Sequence, residues 1–109
     1  MGKCLYTQIW KNYLKDIIEI IRKGESSSFD VEPEAFEHAG DRQSSGYGFR
    51  TEFTNGECTK RPSGSAVGRD LAEMVEMSRD FREVCNGKFV VIRMGKNFDL
   101  HIEVKELDF

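Results

Sequence analysis

Lys88 to Leu107 is the stretch that most restricts how this chain can fold. Phe98, Leu100, Ile102 and Val104 alternate with Asp99, His101, Glu103 and Lys105, so the segment has one apolar and one wet face, as a half-buried strand does. Before it, Phe89-Val90-Val91-Ile92 is apolar on both faces, which suits a more interior strand. Met94-Gly95-Lys96-Asn97 supplies the turn, with Gly95 and Asn97 expected to take positive φ. The hairpin is expected at the centre of a small sheet.

Two helices are expected to cover it. From Thr7 to Lys23, residues Trp10, Tyr13, Leu14, Ile17, Ile18 and Ile21 form a single apolar stripe, widened by Ile9 and Ile20. Lys11, Lys15, Asp16 and Glu19 fall on the solvent side. Arg22 and Lys23 suit the helix C-terminus, and Gly24 stops it. The second helix is expected over Ala66 to Cys85, burying Val67, Leu71, Met74, Val75, Phe81 and Cys85. Asp70 is placed in its first turn and Asn86-Gly87 at its end, and Met74 and Met77 are read as gap-filling core.

Between the helices lie two different segments. Glu25 to Asp41 carries six carboxylates and no Lys or Arg, and Phe29, Val31 and Ala35 suggest an edge strand with Pro33 at its margin. Charged edges deter aggregation and also serve as docking faces. In Gln43 to Ser65, Tyr47, Phe49, Thr51 and Phe53 alternate with polar residues or Gly48, Asn55-Gly56 is a two-residue turn signal, and Glu57 to Lys60 returns until Pro62 ends it. The whole is an α+β chain: a two-layer sandwich with two helices on one face of a mostly antiparallel sheet of about five strands.

With 109 residues the chain is sized for a single domain. Its net charge of -3 argues against direct binding of nucleic acid and favours a basic protein partner. Cys4, Cys58 and Cys85 form no close pair, so neither a zinc site nor a disulfide framework is suggested. There is no apolar run long enough for a membrane span and no signal-peptide core. Met1-Gly2-Lys3-Cys4 lacks the Ser or Thr of a myristoylation signal, having Tyr6 instead, so a cytoplasmic protein is expected.

No constellation stands out as catalytic. His38 and His101 could meet in space and, with a lysine, support ribonuclease-type acid–base chemistry. Both lie among carboxylates, whereas an enzyme cleaving a polyanion gathers positive charge around its site. Glu37, His38 and Asp41, or His101 with Glu103, match no metal-ligand spacing, and there is no HExxH, so neither metal nor cofactor is expected. The serines have no nucleophile elbow around them, and Gly46-Tyr47-Gly48 opens no helix as a phosphate loop would. Cys85 sits on an apolar helix face, where a thiol is inert.

Charge segregation is the remaining signal. The N-terminal helix and Arg42 to Arg69 are modestly basic, Glu25 to Asp41 is acidic, and Asp99 to Phe109 sets four acids against Lys105. Exposed acids interspersed with aromatics suit recognition of a basic protein, because they speed association while aromatics supply desolvated anchors. The candidate binding residues are therefore Glu25, Asp30, Glu32, Glu34, Glu37, Asp41, Asp99, Glu103, Glu106 and Asp108, with Phe36 and Tyr47 as anchors beside Phe29 and Phe109.

The run Leu71-Ala72-Glu73-Met74 through Phe81-Arg82-Glu83-Val84-Cys85, passing into Lys88-Phe89-Val90-Val91-Ile92-Arg93-Met94 and then Lys96 to Val104, resembles the helix-to-hairpin half of bacterial immunity proteins of polymorphic toxin and contact-dependent growth inhibition systems. The N-terminal half matches those families in element order. The resemblance implies a non-enzymatic toxin inhibitor, a monomer or weak dimer. It would bind one cognate toxin domain, often a nuclease, and block its active site with carboxylates placed where substrate phosphates would lie.

Overall fold

The computed structural model describes residues 2–32, 35, 48–64, 66–95 and 97–108, with 2–7 and 66 as backbone only. The element order is α1 (Gly2–Lys23), β1 (Ser27–Asp30), β2 (Arg50–Thr54), β3 (Glu57–Lys60), α2 (Ala66–Met77), α3 (Arg79–Val84), β4 (Lys88–Met94) and β5 (Asp99–Glu106). The strands form an antiparallel sheet in the order β1-β5-β4-β2-β3. The doubly apolar strand is thus the middle one, as its composition requires, and the hairpin β4–β5 is the centre of the molecule. This is the expected α+β sandwich, with the helices on one face.

Register explains which side chains meet the helices. Val90 lies opposite Val104, Ile92 opposite Ile102 and Met94 opposite Leu100, while Phe53 and Thr51 of β2 continue the first two rows. That face joins Trp10, Ile17 and Ile21 of α1, Val67, Leu71 and Val75 of α2, and Phe81 and Cys85 in one buried cluster. Each large side chain so buried contributes roughly 1.5–3 kcal/mol against leaving it exposed. Phe53 and Phe81 meet edge to face with centroids 5.0 Å apart, tying β2 to α3. Gly68 lets α2 close on the sheet, since a Cβ there would lie 2.9 Å from Phe49. Asn55 and Gly56, at φ 53° and 84°, make the expected tight turn between β2 and β3. At the other end of the core, the Lys88 ammonium donates to the Ile21 carbonyl (2.8 Å), satisfying a group in the last turn of α1.

Several expectations need correction. The second helix is broken: α2 ends at Met77, and Ser78, extended at φ -81°, caps α3 by accepting from the Phe81 amide. The break has a reason in the stripe. Val75 and Phe81 are six positions apart, which on one straight helix turns Phe81 well away from the face that Val75 buries. Met77 is left 82% exposed rather than filling the core. Asp70 lies one residue beyond the first turn of α2. The edge strand stops at Asp30, with Val31 buried beyond it and Ala35 in a 3₁₀ turn whose carbonyl accepts from the Trp10 indole (2.7 Å). In the β4–β5 turn it is Phe98, at φ 58°, that adopts the left-handed conformation, not Gly95 or Asn97. Its amide donates to the Gly95 carbonyl and its own carbonyl accepts from Val31, and these bonds hold it there against a cost of roughly 1–2 kcal/mol.

Candidate acidic groove at the β1 edge

β1 is a terminal strand, and α1 runs beside it from the Trp10 end to Lys23. Between the two lies a groove of about 410 Å³. Its apolar lining is Tyr13, Ile20 and Phe29, with the rings of Tyr13 and Phe29 stacked at 5.7 Å. Its rim carries Asp16 and Glu19 from the helix and Asp30 from the strand, with Lys23 as the cation at one end. Sequence periodicity places Tyr13 in the core stripe and Asp16 and Glu19 on a plain solvent face. Their joint role depends on how the helix lies along β1, which no local pattern encodes.

Tyr13 locks the far end of the groove. Its hydroxyl donates to the Glu32 carboxylate (3.0 Å) and accepts from the Glu32 amide (2.9 Å). Burial, first, and the neighbouring carboxylate push the phenol above its ordinary value of 10.0. Trp10 packs edge to face on Tyr13 at 5.5 Å. An aromatic wall is thus fixed by hydrogen bonds before any partner arrives.

The carboxylates are only partly compensated. Asp30 stands directly opposite Asp99 across the β1–β5 ladder, a like-charge arrangement that disfavours the strand pair. Asp99 is satisfied by the His101 ring at 2.6 Å, and this bond, with the charge of Arg93, holds its carboxyl below the usual 3.8. Glu19 pairs with Arg22 at 2.7 Å. Among the described residues, Asp16 and Asp30 form no ion pair.

The expected binding residues therefore divide. Asp30 and Asp99 meet across the β1–β5 ladder, while the Glu32 carboxylate is held by the Tyr13 hydroxyl on the helix side. Glu103 shares the open sheet face with Asp99, but Glu106 lies on the helix side opposite Lys88, seven residues or roughly 24 Å along the strand from Asp99. Asp108 follows β5, and Glu25 precedes β1. Glu34, Phe36, Glu37, Asp41 and Tyr47 lie outside the described residues, as do His38 and Phe109. His101 is bound to Asp99, and the described residues contain no group of three metal-ligating side chains. Cys85 is buried, and desolvation pushes its thiol up to about 12, as expected of an inert one. Among the described residues, no helix is long and apolar enough to cross a membrane.

Comparison with known proteins finds no matching family model, no similar curated protein and no similar solved structure. The acidic groove is a candidate from its own geometry.

Proposed function

We propose that this chain is an immunity-type inhibitor that binds a basic, nuclease-class toxin domain one to one and silences it by covering its active site. The observation that carries this reading is the pair of carboxylates, Asp16 and Asp30, that form no ion pair among the described residues, on the rim of a pre-ordered aromatic groove at a sheet edge. Carboxylates so placed attract a basic surface, speed its association and occupy positions meant for phosphate. Tyr13 and Phe29 supply rigid anchors of the kind that dominate binding energy. The chemistry required of the inhibitor is recognition alone, and it acts in the cytoplasm where the toxin arrives.

The test is co-expression with the polypeptide encoded beside it, followed by native mass spectrometry and a toxicity assay. A one-to-one complex that abolishes toxicity is expected, with association slowed about tenfold or more by high salt. Reversing Asp16 and Asp30 together to Lys should weaken the complex strongly. A complex indifferent to both salt and charge reversal, or no complex, overturns the proposal.

A further inference from the structure

We infer that the outer edge of β1, with the groove beside it, is a strand-docking site that receives an extended, Lys- or Arg-bearing segment of a partner protein. The backbone register supplies the first part of the argument. The Val31 amide donates to the Phe98 carbonyl at 2.7 Å, and Val31 and Phe98 continue the β1–β5 pairing. Bonded pairs alternate along an antiparallel ladder, so Phe29 and Ser27 also turn their main-chain groups toward β5. Ser28 and Asp30 then turn theirs outward. Among the described residues, no strand pairs with that edge.

The side chains select the occupant. A strand added to β1 would pass between two acidic sides: Asp16 and Glu19 above on the helix, Asp30 and Asp99 on the open sheet face. Its helix-facing side chains would lie against Tyr13, Ile20 and Phe29 with carboxylates just beyond. An apolar stem ending in a cation fits that sequence of surfaces. A wholly apolar segment would desolvate Asp16 and Asp30 without a counter-charge. A second copy of β1 would bring its own Asp30 and Glu25 to the same edge, and the like charges would oppose pairing. Lys23 lines the opposite end of the groove from Tyr13. The basic positions of the segment therefore sit toward Asp16 and Asp30, which orients it.

This inference rests on the inhibitor reading only for the partner being a toxin. The probe is a short synthetic peptide of alternating Lys and Val, added to the isotopically labelled full chain. Binding is read by fluorescence anisotropy and amide hydrogen exchange. The peptide should slow exchange at Ser28 and Asp30 by about tenfold or more while leaving Ser27 and Phe29, already bonded to β5, unchanged. Methylating the peptide's alternate backbone nitrogens should abolish binding. Asp16→Lys with Asp30→Lys should weaken it about tenfold or more, in a protein whose amide spectrum shows it folded. No binding, equal binding of a Glu-for-Lys peptide, or binding without protection at Ser28 and Asp30 overturns the inference. So does protection that rises with protein concentration alone, which would assign the edge to a second copy. A toxin captured without protection at those amides removes strand addition and leaves the inhibitor reading. Peptide docking with no toxin captured does the reverse.

Discussion

The two edges of the sheet treat charge in opposite ways. At the β3 edge, Glu76 accepts from the Arg61 guanidinium and from the Cys58 amide (3.1 Å), Arg50 pairs with Glu52 (3.0 Å), and the buried Thr51 hydroxyl donates to the Lys60 carbonyl (2.9 Å). The Thr51 and Glu76 bonds stitch β2, β3 and α2 together. At the β1 edge, Asp30 faces Asp99, and among the described residues Asp16 forms no ion pair. One edge uses its carboxylates for folding. The other sets Asp30 against a like charge on the neighbouring strand, at a small cost in stability.

The largest effect that separates the edges is packing. Phe81 is fully buried against Phe53, so Phe81→Ala should lower the unfolding free energy by about 3–5 kcal/mol in urea titration. Phe29, half-buried in the groove, should cost only about 1–2 kcal/mol on truncation to Ala. Equal losses would mean that the groove belongs to the core and is not a surface kept for a partner.

Much of the frame was legible in the sequence because local patterns and tertiary demands agreed there. The β4–β5 hairpin, the α1 stripe and the Asn55-Gly56 turn each follow from periodicity or from a turn residue. The helix break was visible in principle: Ser78 is a preferred N-cap residue, and the stripe slips between Val75 and Phe81. The left-handed Phe98 was not, because one of the bonds that hold it comes from the distant Val31. The groove was half legible. The acidity of the β1 segment is plain in the chain, but its alignment with Asp16 and Glu19 arises only when α1 and β1 pack side by side.

A smaller effect sharpens the comparison through Glu76. Its carboxyl is held below the ordinary 4.5, first by the hydrogen bond from Arg61 and further by the Cys58 amide. A carboxyl lowered on folding contributes stability that is complete above its unfolded value and lost as the pH falls through the folded one. Glu76→Gln should therefore cost about 1 kcal/mol or less at neutral pH, the pair being largely exposed, and that difference should vanish in acid. Asp16→Asn should leave the melting temperature unmoved at both pH values. If Asp16→Asn were as damaging as Glu76→Gln, the two edges would be alike.

The smallest effect is the most diagnostic. Asp30→Asn removes one member of the like-charge pair with Asp99 while keeping size and strand position. Cross-strand repulsion predicts a slight gain, a rise in melting temperature of about 1 °C. The gain should shrink with added salt as the charges are screened, and it should disappear at low pH once the carboxyls are protonated. The same substitution should weaken a basic partner or the Lys–Val peptide. A residue whose neutralisation stabilises the fold and harms binding is kept for the partner. If Asp30→Asn instead lowers stability, the charge serves the fold, and the contrast between the two edges fails at its central residue.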